Sequence, residues 1–196
     1  MKSGFSISLD EALHILISVI TISLAFAIVW TGSTEFDAKF LATTGMILLT
    51  VGVAFIFHEL AHKFVAIHYG AYARYQMWTL GLLFAVIMAF AVGFVFAAPG
   101  AVYVYGNHIT REQNGKISLA GPMTNLILGV LFLILGLSFP ALKEIAIMGS
   151  GVNFFLGAFN MIPMFPMDGS KVYAWNKLVW AATLLPLVAL IFIPIL

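Results

Sequence analysis

A five-residue segment, His58-Glu59-Leu60-Ala61-His62, carries the residue types with the clearest chemistry in this sequence. In a helix, His58 and His62 lie one turn apart on the same face, so both imidazoles can bind one metal ion. Glu59 follows the first histidine directly and can accept a proton from a water molecule at that metal. Bound Zn²⁺ lowers the pKa of such a water to about 7, which makes it a nucleophile for a carbonyl carbon. The segment therefore predicts zinc-dependent hydrolysis with Glu59 as the general base.

A hydrolytic zinc site takes three protein ligands, and the two histidines leave it one short. Asp168 is the remaining candidate, because it is an acidic residue beside an apolar segment with no evident surface role. Two prolines before it end a helix, and Gly169 allows the tight turn that directs a carboxylate inward. An ordinary turn or helix-capping aspartate is the alternative interpretation. Three ligands and a water complete one tetrahedron, so we expect one Zn²⁺ per chain at His58, His62 and Asp168.

The same cluster could carry a metal ion instead of catalysing a reaction, so a membrane metal transporter or metal-binding protein is the alternative function. Transporters are often built from paired repeats with matched broken helices. This sequence has one interrupted apolar segment and one HExxH motif. A site that only binds metal has no use for Glu59, and the sequence therefore favours hydrolysis.

The composition indicates where these residues must work. Hydrophobic residues make up 62% of the 196 residues and charged residues only 9%, whereas soluble domains are about 45–50% apolar and about 25% charged. This excludes a soluble domain or a disordered chain and predicts a multi-pass integral membrane protein, in the cell membrane, with the lipid bilayer as a partner. The formal charge of +1 excludes a nucleic-acid binder that uses a basic face. Because there is no cysteine, any transition metal must be bound by His, Asp or Glu.

Six apolar segments approach the roughly 20 residues that a helix needs to cross a bilayer. They are Leu13–Trp30, Phe40–Phe57, Trp78–Ala98, Ile117–Phe139, Ile145–Ile162 and Leu178–Leu196. They predict an all-α polytopic membrane protein of about six transmembrane helices, with His58 at the end of the second. Because the segments fill the chain, we expect a single domain over residues 1–196.

The stretch of residues 94–116 does not fit a complete span. Val102–Tyr105, Gly106-Asn107 and His108–Thr110 are typical of a strand, a tight turn and a second strand. We therefore expect a small interfacial β-hairpin between the third and fourth helices. An unwound substrate could add to its edge at Val102, Tyr103, Val104 and Tyr105, held by main-chain hydrogen bonds. An ordinary interfacial loop is the alternative, and the register of the strand stays open.

Two further motifs accompany HELAH. SLAGPMTN at residues 118–125 opens the fourth apolar segment, and NMIPMFPMDG at residues 160–169 follows the fifth. In this order the three motifs resemble the site-2 protease family of intramembrane zinc metalloproteases, over residues 40–180. The resemblance implies that the substrate is a transmembrane segment of another membrane protein. We find neither a PDZ insertion nor a CBS module in the sequence, so the resemblance implies nothing about regulation or substrate delivery.

The resemblance also implies roles for particular residues. It assigns zinc binding to His58, His62 and Asp168, and catalysis to Glu59. It further implies that Asn125 and Asn160 are polar partners of the substrate or of the oxyanion.

Overall fold

A computed structural model describes residues 5–95, 99–106 and 109–192. Within these ranges the elements are α1 Leu9–Thr31, α2 Ala38–Ile47, α3 Val53–His68, β1 Tyr72–Met77, α4 Thr79–Val92, β2 Gly100–Tyr105, α5 Arg111–Ser138, α6 Lys143–Asn160, α7 Asp168–Trp175 and α8 Lys177–Phe192. A π-helical turn at Leu48–Gly52 joins α2 and α3 into one continuous helix, and a 3₁₀ turn at Pro140–Leu142 precedes α6.

Among the described residues, four helices are long and apolar enough to cross a membrane, judged by length and composition. They are Leu9–Thr31, Ala38–His68, Arg111–Ser138 and Pro140–Asn160. The predicted spans Trp78–Ala98 and Leu178–Leu196 contain the shorter helices α4 and α8, of 14 and 16 residues. At 1.5 Å per residue α4 is about 21 Å long, which is less than the roughly 30 Å of a hydrocarbon core. The predicted count of six spans is therefore not confirmed, and both predicted spans end outside the described residues.

A small antiparallel sheet forms, but its strands are not those of the predicted hairpin. β2 contains the predicted strand Val102–Tyr105, and its partner is β1, in a register that runs from Tyr72↔Tyr105 to Met77↔Gly100. The prediction that residues 108–110 form the second strand is wrong for Thr110, which is the N-cap of α5. Asn107 and His108 lie outside the described residues.

The true partner strand is hidden in the sequence by its aromatic residues, which also suit a membrane interface. Alternate residues of β1, Ala73 and Tyr75, are buried. The Tyr75 ring packs edge-on against Phe55 of α3, and its hydroxyl donates to Ser18 Oγ of α1 at 2.8 Å. Burial raises the pKa of the Tyr75 phenol, so the hydroxyl stays protonated. These contacts fix the sheet between α1 and α3.

Helix α5 packs against α3, which carries the two histidines, and also against α6 and α7. Its N-terminus is closed by a capping box between Thr110 and Gln113. Helices α6, α7 and α8 share an apolar core formed by Phe154, Ala158, Met161, Val172 and Leu187. This packing holds the connection between α6 and α7, which ends at Asp168, against the rest of the protein.

Candidate metal centre

The structure brings His58, His62 and Asp168 together. The two histidines lie on one face of α3, and Asp168 is the first residue of α7. Asp168 Oδ2 lies 3.3 Å from His58 Nε2 and 3.1 Å from His62 Nε2. All three potential ligand atoms lie within 4.8 Å of one another. Ligands bound to a tetrahedral zinc at 2.0–2.2 Å are about 3.4 Å apart, so the cluster has the dimensions of a zinc site.

The position of Asp168 depends on the glycine that follows it. A Cβ atom on Gly169 would lie 2.1 Å from the carbonyl oxygen of Met161. Only glycine therefore allows the start of α7 to approach the end of α6 this closely. The Met161 carbonyl also accepts a hydrogen bond from Trp180 Nε1 at 2.7 Å. The turn that carries Asp168 is thus tied to α6 and α8.

Both histidines are oriented by hydrogen bonds at their far nitrogen atoms. His58 Nδ1 lies 2.5 Å from Asn125 Oδ1, and His62 Nδ1 lies 2.8 Å from the carbonyl oxygen of Ile117. Because both partners are acceptors, each Nδ1 must carry the proton. The Nε2 atoms face Asp168, and loss of a proton there would leave the lone pair with which an imidazole binds a metal ion.

Asn125 is fully buried, and its amide is committed to the protein interior. Besides accepting from His58, it donates to the Ala54 carbonyl at 3.2 Å and to Asn153 Oδ1 at 3.0 Å. Sequence reasoning missed Asn153, which sits on α6 between glycine and aromatic residues and has no motif around it. Asn160 donates to the Leu156 carbonyl of its own helix at 3.0 Å. The substrate or oxyanion roles of Asn125 and Asn160 stay predictions.

Space for a metal ion depends on Gly121 of α5. A Cβ atom at this position would lie 2.5 Å from both His58 Nε2 and His62 Nε2. A methyl group would therefore fill the space that the two nitrogen atoms face. Gly121 belongs to the SLAGPMTN motif, but only the packing of α5 on α3 gives this glycine its role. The donor set and the space beside it fit a metal ion.

The charges of the cluster also fit a divalent cation. Burial raises the pKa of the Asp168 carboxyl, but the charges of His62 and His58 and their hydrogen bonds outweigh burial and hold that pKa well below its usual range. Asp168 is therefore a carboxylate. Its other oxygen, Oδ1, lies 3.7 Å from Lys171 Nζ. Glu59, which is 8% exposed, adds a second carboxylate beside the histidines, and a divalent ion offsets charges that are costly to bury.

Glu59 is also bonded to the sheet. Its Oε2 accepts from the backbone N–H of Val102 in β2 at 2.9 Å. On the other side of the sheet, the N–H of Tyr75 donates to Glu11 Oε1 at 2.9 Å. Tyr75 and Val102 are register partners. Since both N–H groups point outward, they form a non-hydrogen-bonded pair of the antiparallel ladder.

This assignment gives the register that the sequence left open. Because backbone groups alternate along a strand, Val104 directs its N–H to the outer edge like Val102, whereas Tyr103 and Tyr105 face β1. In the part of the chain that the structure describes, no further strand pairs with that outer edge. The side chains of Tyr103 and Tyr105 are each 50% exposed. Glu59 thus lies at the outer edge of β2.

Known proteins resemble this chain over most of its length. Putative zinc metalloprotease MJ0611 of Methanocaldococcus jannaschii is 48% identical over 144 residues, which cover 72% of this chain and 75% of the relative. Zinc metalloprotease MJ0392 of the same organism is 28% identical over 176 residues, which cover 86% of this chain and 44% of the relative. Putative zinc metalloprotease YwhC of Bacillus subtilis is 28% identical over 145 residues, which cover 64% of this chain and 66% of the relative.

No family model matches the sequence, and no solved structure matches it. The 48% identity to a relative named as a zinc metalloprotease extends over more than two thirds of the chain. This chain has a cluster of two histidines and an aspartate that could hold a metal ion. It belongs to the site-2 protease family of zinc metalloproteases.

Proposed function

We propose that this protein is an intramembrane zinc metalloprotease that hydrolyses peptide bonds within or near transmembrane segments of other membrane proteins. One observation carries the proposal. The helix Ala38–His68 is long and apolar enough to cross a membrane, and its last turns bear His58 and His62 facing Asp168. A hydrolytic centre on such a helix meets its substrate at the bilayer, so membrane-embedded proteins are the substrates that fit best.

The metal-binding residues and Glu59 have different roles in the proposed hydrolysis. His58, His62 and Asp168 hold one Zn²⁺ per chain. Zinc at this position supplies Lewis-acid activation of water and of a carbonyl group. Glu59 accepts the proton of the attacking water at its carboxylate and passes it to the leaving nitrogen. The hydrogen bond from Val102 N–H to Glu59 Oε2 keeps the carboxylate oriented before substrate arrives.

The outer edge of β2 receives the substrate. A transmembrane helix shields its carbonyl groups in its own hydrogen bonds, so the bond to be cleaved must first unwind. Unwound peptide groups that stay unpaired in a bilayer cost several kcal/mol each. Pairing with the Val102–Tyr105 edge offsets that cost by main-chain hydrogen bonds, and it places the substrate beside Glu59. Asn125 and Asn160 are retained as proposed polar partners, and for Asn125 the hydrogen bond to His58 supports an action through that ligand.

Purified protein in detergent or liposomes provides the test. It should carry about one zinc per chain and should cleave at least one member of a panel of single-span substrates, with cleavage lost on chelation and restored by zinc.

Glu59→Gln keeps the three ligands, so zinc should remain while cleavage falls by about 10²–10⁴-fold. Full zinc content in the double variant His58→Ala,His62→Ala would refute the ligand assignment. Unchanged cleavage by Glu59→Gln would refute the base, and zinc transport that survives this change would favour a carrier.

A further inference from the structure

Glu11 has no part in the proposed chemistry, yet it is bonded both to the catalytic helix and to the sheet. It lies in the first turn of α1 and is 2% exposed. Its two carboxylate oxygens accept from Lys63 Nζ at 2.7 and 2.6 Å. Lys63 follows His62 directly on α3 and donates its remaining hydrogen to the Ser6 carbonyl at 2.6 Å. A buried carboxylate with this many partners is held in a single place.

The partners of Glu11 form a closed ring with Glu59. From α3, Lys63 binds Glu11, and Glu11 accepts from the N–H of Tyr75. Tyr75 is paired across the sheet with Val102, whose N–H donates to Glu59. Glu59 and Lys63 are four residues apart, so the ring leaves α3 and returns to it one turn away. The Tyr75–Val102 pair is therefore held between two glutamates.

The sheet needs such external contacts. A two-stranded antiparallel sheet is at best marginally stable by itself in water. The place of Val102 relative to Glu59 therefore depends on what fixes the β1 side. Tyr75 N–H is fixed by a carboxylate that Lys63 in turn fixes to α3. A shift of β1 moves β2 with it, because the neighbouring residues of the two strands are joined by ladder hydrogen bonds.

We propose that Glu11 is a positioning residue for Glu59 and for the substrate edge, acting through the Tyr75–Val102 pair. This rests on the proposed function. The carboxylate of Glu11 sets the distance of β2 from α3, and Lys63 neutralises its charge and ties it to the catalytic helix. A catalytic group misplaced by about 1 Å can lose roughly 10²-fold in rate. Loss of the Glu11 acceptor should therefore reduce kcat without removing zinc.

Two double variants separate this role from simple stabilisation. Glu11→Gln,Lys63→Met and Glu11→Met,Lys63→Met both remove the buried charges, and replacement of a buried ion pair by neutral groups is often tolerated. They differ in one respect, because only glutamine leaves an oxygen that can accept from Tyr75 N–H. We measure kcat and KM per zinc-loaded molecule, together with zinc content and melting temperature.

The expected result is a loss of roughly 10²-fold in kcat for Glu11→Met,Lys63→Met, most of which Glu11→Gln,Lys63→Met recovers, with zinc content intact in both. Wild-type kcat in the methionine variant overturns the proposal, and so does an equal loss in both variants. If either double variant does not fold, Glu11→Asp repeats the test with both charges in place. Its shorter side chain should lower kcat at full zinc content, and wild-type kcat would overturn the proposal.

A matched control accounts for stability. Phe40 is buried in the core near the start of α2, 19 residues before Glu59 and roughly 28 Å along the same helix. Phe40→Leu should lower the melting temperature without changing kcat per zinc-loaded molecule. Failure of the proposed function looks different, because wild-type protein would then not cleave, or Glu59→Gln would cleave as well as wild type.

Discussion

At each outer edge of the small sheet, a backbone N–H donates to a glutamate. The two glutamates differ in whether a lysine or arginine pairs with them. At the β1 edge, Tyr75 N–H donates to Glu11, and at the β2 edge, Val102 N–H donates to Glu59, both at 2.9 Å. Glu11 is closed off by Lys63, which contacts both of its oxygens. For Glu59, no ion pair with a lysine or arginine occurs among residues 5–95, 99–106 and 109–192.

Under the proposed function, the difference separates a structural carboxylate, Glu11, from a reactive one, Glu59. A buried charge that the protein pairs with its own cation is satisfied and has no further bond to offer. A buried charge without such a partner is costly, and such groups are typical of functional sites. Glu59 also sits next to His58, which faces Asp168. Under the proposed function, the β1 edge at Glu11 (the closed edge) is the fixed side of the sheet, and the β2 edge at Glu59 (the open edge) is the side that receives substrate.

The largest effect should come from filling the metal space on the open side. Gly121→Ala would place a methyl group 2.5 Å from both histidine Nε2 atoms, so zinc content should fall to near zero and cleavage should disappear. Alanine in a helix is ordinarily favoured over glycine by about 1 kcal/mol, so α5 itself should not be disrupted. Zinc analysis and circular dichroism of the purified variant test this.

Gly45→Ala in α2 is the matched control, because a Cβ there meets nothing within 4 Å. It should leave zinc and cleavage unchanged. A zinc-loaded Gly121→Ala variant would show that the space between the histidines and α5 is not where the metal binds.

At the β1 edge, loss of the Lys63 cation alone should act mainly on stability. Lys63→Met leaves the Glu11 carboxylate buried without its cation, which costs about 3–5 kcal/mol of folding free energy. The added change Glu11→Gln should restore most of this stability. Glu59→Gln, at the open edge, should lower cleavage with little change in stability. Thermal or denaturant unfolding of the three variants gives the comparison, and equal stability of Lys63→Met and wild type would contradict it.

A smaller effect should follow from releasing His58. Asn125→Ala removes the acceptor of His58 Nδ1–H, and loss of such a partner typically weakens metal binding by about 10–100-fold. Asn160→Ala is the control, since Asn160 bonds to the Leu156 carbonyl of its own helix. Competition with a chelator of known affinity measures both variants. Equal zinc affinity in the two variants would show that the Asn125–His58 bond does not support the metal.

The features of the site that depend on neighbouring residues could be predicted from the sequence. His58 and His62 are one helical turn apart, and helix geometry alone puts them on one face. Asp168 could be proposed because prolines and a glycine surround it in a membrane-like sequence. The small sheet could be anticipated in part, since the alternating pattern of Val102–Tyr105 is local.

The non-local part could not be predicted. Helix α4 separates β1 from β2 in the sequence. The residues around Val102 therefore do not indicate that Tyr75 is its partner. Glu11 and Lys63 each look like ordinary charges at the end of an apolar segment, and their pairing depends on how α1 packs on α3. The role of Gly121 likewise depends on the packing of α5 against both histidines. Each of these contacts joins residues that are far apart in the sequence, so no local pattern of residues indicates it.

The smallest effect should distinguish the two sides of β2 itself. Val104→Pro removes an N–H that points to the outer edge, where proline is tolerated in strands. If substrate pairs there, losing one hydrogen bond of about 1 kcal/mol should raise KM roughly fivefold. Tyr103→Pro removes an N–H that points to β1 and should lower stability by breaking the sheet ladder. Kinetics with a single-span substrate, alongside zinc content and melting temperature, tests the pair. If Val104→Pro cleaves with normal KM and kcat, the open edge is not the substrate clamp, whatever Tyr103→Pro does to the fold.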